Sequence, residues 1–129
     1  MKIKLLIGCT LIGQLLFAQI KVVQPLTASL VNPIATNTGT PTFSWQLQST
    51  QRAVVQTGYQ IIAASTAQNL ANNIGDLWNS GMVYSNNSLH VTYAGKALTS
   101  GAPCYWKVKV FTNKGTSDYS TASFFRVGL

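Results

Sequence analysis

In residues 42–48 the apolar side chains Phe43, Trp45 and Leu47 alternate with polar neighbours, a period of two that gives an extended strand one dry face and one wet face. Residues 104–112 repeat the pattern. Cys104, Trp106, Val108 and Val110 fall on one side, and Tyr105, Lys107, Lys109 and Phe111 on the other, where the two lysines require water. Residues 59–65 are rich in β-forming residues and nearly apolar on both sides, which predicts a third strand. Shorter runs at 27–30, 77–83, 88–93 and 122–127 predict four more, separated by Asn32-Pro33, a bend at Gly81 and a turn at Asn113-Lys114-Gly115. Residues 67–73 fit a helical turn, and the asparagines at 69, 72 and 73 argue against a long helix. Seven short strands with little helix predict an all-β antiparallel two-sheet sandwich of immunoglobulin or fibronectin type III kind. It occupies residues 26–129 as one domain, after a lead-in linker at 19–25. Its predicted core is Phe43, Trp45, Leu47, Tyr59, Ile61, Ala63, Trp106, Val108, Val110 and Phe124.

Residues 1–18 have a different pattern: Lys2 and Lys4 precede an apolar run from Leu5 to Phe17 that ends at the small residue Ala18. This is the layout of a signal peptide cleaved near Ala18, and it predicts export to the periplasm, the outer surface or the medium. An uncleaved anchor needs a longer stretch, about 20 apolar residues. Lipidation at Cys9, in Leu6-Ile7-Gly8-Cys9, needs a longer hydrophobic region than the eight residues before it. The only membrane contact expected is through this signal. Removing 18 of the 129 residues leaves 111 and a single cysteine, Cys104. No internal disulfide is then available, so stability must come from core burial.

Composition narrows the chemistry. Nine Lys and Arg stand against two acids, Asp76 and Asp118, with one histidine, His90. Four Cys/His ligands for a structural zinc cannot be assembled, and no glycine loop that cradles phosphate occurs, so neither metal nor cofactor is expected. The basic residues are scattered singly. That pattern reads as a low-charge domain, with attraction to acidic plant or microbial polysaccharide as the other reading and no nucleic-acid partner. Glycosidase chemistry requires two carboxyl groups about 5–9.5 Å apart. Asp76 and Asp118 are far apart in sequence and each sits in a turn, where a side-chain oxygen bonds nearby backbone N–H groups. His90 reads as a strand-surface residue and Cys104 as a buried small side chain, so no residue is assigned as catalytic.

Six segments in order carry a resemblance: Asn32-Pro33; Pro41-Thr42-Phe43-Ser44-Trp45; Gln56-Thr57-Gly58-Tyr59-Gln60-Ile61; Leu77-Trp78-Asn79-Ser80-Gly81; Val91-Thr92-Tyr93-Ala94-Gly95; and Tyr105-Trp106-Lys107-Val108-Lys109-Val110. Together they resemble the amino-terminal β-sandwich of secreted bacterial α-L-rhamnosidases. The resemblance implies that such a sandwich precedes further β domains and a helical α/α-barrel, whose acidic residues hydrolyse terminal L-rhamnose with inversion. It also implies that Phe124-Phe125-Arg126-Val127-Gly128-Leu129 leads out of the sandwich, so that the chain corresponds to a front module whose partners are later domains. Departures are visible at Asn79, where family members often carry an acid after Leu-Trp, at Phe111-Thr112, where they often carry an aromatic-plus-acid pair, and at a corner. Where such sandwiches place a corner tyrosine, six residues after Leu98, this chain has Cys104, with Tyr105 next.

Two readings of function follow. A non-catalytic scaffold for later domains predicts an apolar patch matching a neighbour. A free-standing carbohydrate-binding or adhesion module predicts a row of exposed, coplanar rings among amides. Trp45 and Trp106 belong to the predicted core; Trp78, Tyr84, Tyr93 and Tyr105 are the candidate carbohydrate contacts, and Tyr119 is a fifth ring expected to reach the surface.

Overall fold

The alternating segments form the strands they predict. A computed structural model describes residues 20–33, 36 and 39–128. The expected export signal at 1–18 lies outside the described residues. In chain order the elements are β1 (Ile20–Thr27), β2 (Thr42–Ser49), β3 (Gln56–Ala64), α1 (Ala67–Ala71), β4 (Trp78–Asn79), β5 (Val91–Thr92), β6 (Pro103–Thr112), β7 (Gly115–Thr116) and β8 (Ser123–Arg126). β1, β2 and β5 make one antiparallel sheet. The second sheet has β4, β3 and β6 side by side, with β7 and β8 pairing with successive stretches of the far edge of β6.

Period two decides what each sheet buries. Along β6, Cys104, Trp106, Val108 and Val110 are fully buried, and the intervening side chains are half-exposed on the outer face. β3 aligns Ile61 with Val108 and Ala63 with Trp106, so both strands turn the same rows inward. From the opposite sheet Phe43 lies flat on Trp106, ring centroids 4.0 Å apart and planes 8° from parallel. Trp45 meets Tyr59 edge-on at 5.2 Å. Each buried indole N–H has a partner: Trp106 Nε1 donates to Thr27 Oγ1 at 2.8 Å, and Trp45 Nε1 to Gln56 Oε1 at 3.0 Å. Among the described residues no buried side-chain polar atom is left without a hydrogen bond.

Several expectations need correction. Residues 20–25, expected as a lead-in linker, are most of β1, and the strand ends at Thr27 where one was expected to begin. The register shift between Val23 and Leu26, with Gln24 at φ 50°, breaks the period that would have revealed it. In β8 the core residue is Phe125, fully buried. Phe124, half-buried, pairs with Tyr105 on the outer face, because a one-residue shift of frame exchanges the two sides of a strand. Leu47 packs on the core only partly buried. The strands expected at 77–83 and 88–93 reduce to the two-residue β4 and β5. Beyond β4, Val83 continues along β3 by exchanging backbone hydrogen bonds with Tyr59 at 2.9 and 3.0 Å.

The helical turn forms as α1, capped by Thr66, whose Oγ1 accepts from Asn69 N at 3.0 Å. Its Leu70 covers Ile62 and Ala64 on the outer face of the second sheet, with Tyr105 and Tyr119 packed alongside.

Candidate functional site

Asp76 follows the turn after α1 and reaches back to the end of β3, where both its oxygens accept from Ser65: Oδ1 from the backbone N–H at 2.9 Å and Oδ2 from the hydroxyl. Burial alone would raise its pKa. The hydrogen bonds from Ser65, with further help from Asn69, outweigh that and hold the carboxyl below the usual carboxylate value. A depressed folded-state pKa contributes stability above the unfolded-state pKa and loses it as pH falls through the folded-state value. Stability is therefore expected to decline from about pH 4 downward, and Asp76→Asn to flatten that decline, in urea midpoints measured from neutral pH to about pH 2.

Asp118 is exposed and lies at the other end of the sandwich. Ser65 follows Ala64, which pairs with Tyr105, whereas Ser117, next to Asp118, bonds Val110. Five residues of β6 separate those anchor points, about 17 Å at the rise of an extended strand. That exceeds the separation at which two carboxyl groups share one glycosidic bond.

The thiol and the imidazole lie in opposite surroundings. The Cys104 thiol is fully buried, and burial, with a smaller contribution from the Asp76 charge, pushes its pKa up to about 12, so the nucleophilic thiolate is not populated at neutral pH. His90 is exposed, as expected, but it sits in the bend before β5 rather than on a strand, at a positive φ of 55°, with its backbone N–H held by Ser44 Oγ at 2.9 Å. Among the described residues no group of three His, Cys, Asp or Glu side chains is placed to hold a metal ion. No helix among them is long and apolar enough to cross a membrane.

The four rings expected to touch carbohydrate are not brought together. Tyr93 is 2% exposed, and Trp78, half-buried, meets it edge-on at 5.4 Å while also packing against Phe43. Tyr93 is thus a core residue rather than a surface ring. Its hydroxyl donates to the Lys96 carbonyl at 2.6 Å, and burial, reinforced by Cys104 and Asp76, raises its pKa to about 12. The turn it closes needs Gly95, because a Cβ there would lie 2.6 Å from that hydroxyl and 2.5 Å from the Leu77 carbonyl oxygen. A tyrosine locking a loop is therefore present, from the end of β5. Tyr105 leans on Phe124 at 5.0 Å and on the cluster under α1. Only Tyr84 stands free, at 81% exposure.

Two polar features have no counterpart in the strand pattern. Gln56, buried, accepts from Trp45 and donates to the carbonyls of Ser85 and Asn87 at 3.1 and 2.9 Å, tying the loop after β4 to both sheets. Tyr119 lies across the outer face of β6, with Lys107 Nζ 4.7 Å and Lys109 Nζ 4.9 Å from its ring centroid. The lone signal for Tyr119 was its place among rings able to reach the surface.

Residues 22–129 match the family model described as Rha78A-like, N-terminal immunoglobulin domain. An α-L-rhamnosidase of Formosa agariphila is 37% identical over 99 residues, 76% of this chain and 10% of that protein. The crystal structure of Streptomyces avermitilis α-L-rhamnosidase complexed with L-rhamnose superposes with a TM-score of 0.80 at 32% identity, over 85% of this chain and 11% of that one. The α-L-rhamnosidase of Dictyoglumus thermophilum gives 0.81 at 30% identity, over 84% and 12%. The chain spans about 10% of the length of the first of these relatives. A sandwich with these sheets, matched from Val22 onward at the front-domain portion of much longer enzymes, belongs to the family of Rha78A-like N-terminal immunoglobulin domains.

Proposed function

We propose that the chain is a non-catalytic structural module of an exported, multidomain α-L-rhamnosidase-type glycoside hydrolase, acting as a scaffold against which later domains pack. The observation that carries this reading is the placement of Asp76 and Asp118 at opposite ends of a sandwich that matches only 11% of the Streptomyces enzyme. With both carboxyl groups apart, the thiol buried and the histidine alone, acid–base hydrolysis has no pair of groups to run on. The signal-like residues 1–18 support export. The alternative, a free-standing carbohydrate-binding module built on Trp78, Tyr84, Tyr93 and Tyr105, lacks the required row of rings, since Tyr93 is buried and Tyr105 is packed on Phe124.

Excision of the matching segment from the full-length Streptomyces relative tests the scaffold. Its thermal inactivation is expected to quicken about tenfold, with KM for a small rhamnoside held within about twofold. Unchanged inactivation, or a KM raised about tenfold in an enzyme of unchanged stability, would overturn the reading.

A further inference from the structure

Four of the nine basic residues, scattered in sequence, gather at one ring and the groove beside it. Tyr119 carries Lys107 and Lys109 against its face, and it also lines a groove of about 460 Å³ between the start of β1 and the segment after β6. Lys21 and Lys114 line the same groove, with Thr116, Ser120 and Thr121. Asp118 is the one carboxylate there. Among the described residues none of these lysines forms an ion pair. Two ammonium groups held over one ring repel each other, and an incoming anion relieves that repulsion. We propose that this groove and the adjoining face of β6 bind an acidic polysaccharide, whose carboxylate groups are met by Lys107, Lys109, Lys114 and Lys21 around Tyr119.

The lining decides between a glycan and a protein partner. Its aliphatic members, Ile20 and Val22, are turned into the core at 9% and 8% exposure, and beside the Tyr119 ring and the Asp118 carboxylate the polar lining consists of hydroxyl and ammonium groups. A protein interface concentrates apolar and aromatic side chains at its centre and is depleted in lysine. A hydrated polyanion matches hydroxyls and lysines. Partial burial lowers the Lys107 pKa below the ordinary lysine value, and a bound carboxylate would reverse that shift. The proposal is independent of the scaffold reading, since a sandwich that supports later domains keeps this face whether or not a glycan occupies it.

Affinity electrophoresis of the whole chain in gels containing polygalacturonate, neutral dextran or poly-L-glutamate provides the test. Polygalacturonate is expected to retard the chain and dextran not to. The double variant K107Q/K109Q should weaken retardation about tenfold, and the equal charge change R52Q/K96Q less than about twofold. Equal losses in the two double variants would reduce the effect to diffuse charge and overturn the proposal. So would retardation by dextran, absence of retardation by polygalacturonate, or poly-L-glutamate binding as tightly through the same lysines, which would assign the face to an acidic protein surface. If K107Q/K109Q lowers the thermal midpoint, K21Q/K114Q takes its place, with the same outcomes.

Discussion

Trp106→Ala is expected to remove most of the domain's stability. The indole is fully buried, stacked on Phe43 at 4.0 Å, and its N–H is held by Thr27 Oγ1 at 2.8 Å, so one side chain joins β6 to both β2 and β1. Truncating a buried tryptophan costs about 3–5 kcal/mol through lost transfer energy and the cavity left behind. A domain of this size has about 5–15 kcal/mol in total. With a urea slope of about 1–3 kcal/mol per molar, the unfolding midpoint should fall by about 2 M, or the protein should fail to fold. Trp106→Phe keeps a ring against Phe43 and loses the hydrogen bond, so it should fall by about half as much or less. A midpoint for Trp106→Ala within about 0.5 M of the parent would show that the stack does not hold the sheets together.

The second large effect is expected at Gln56→Leu, where volume is nearly preserved and hydrogen bonding is not. The substitution leaves the Trp45 N–H without its acceptor inside the core and releases the Ser85 and Asn87 carbonyls. An orphaned buried donor costs about 1–3 kcal/mol, whereas carbonyls in a loop recover water, so a total of about 2–3 kcal/mol is expected. The loss has a location as well as a size. The Trp45 amide, which donates to the Ser88 carbonyl at 3.0 Å, and the Trp45 indole N–H should exchange with solvent faster, while the Trp106 indole keeps its protection. Uniform loss of protection at both indoles would contradict a local tether.

These two sites show where sequence is legible and where it stops. Phe43, Trp45, Trp106, Val108 and Val110 were readable as core because strict alternation has one physical cause, a strand with a single dry side. The partners of the two indoles were not, since Gln56 and Thr27 lie 11 and 79 residues away and nothing local marks a glutamine or threonine that will be buried. β1 was hidden by its own irregularity at Gln24, and Phe125 by a run of two phenylalanines in which either frame is plausible from hydrophobicity alone. Among the rings, Tyr93 resembles a surface aromatic in sequence because it is flanked by Thr92 and Ala94, and Trp78 because a run of polar and small residues follows it; both pack against Phe43 on another strand. Charge behaved the same way. Lys21, Lys107, Lys109 and Lys114 form no run along the chain, and the fold collects them around Tyr119.

The shortage of proton-handling groups was legible, because two aspartates, one histidine and no glutamate are counted directly along the chain. What the fold adds is distance, with Asp76 bound to Ser65 at one end of β6 and Asp118 exposed at the other. Hydrolysis of a chromogenic α-L-rhamnoside by the purified chain is the most direct test of that account. It predicts release of the chromophore at the rate of buffer alone, unchanged by Asp76→Asn or Asp118→Asn; turnover above buffer that either substitution abolishes would contradict it.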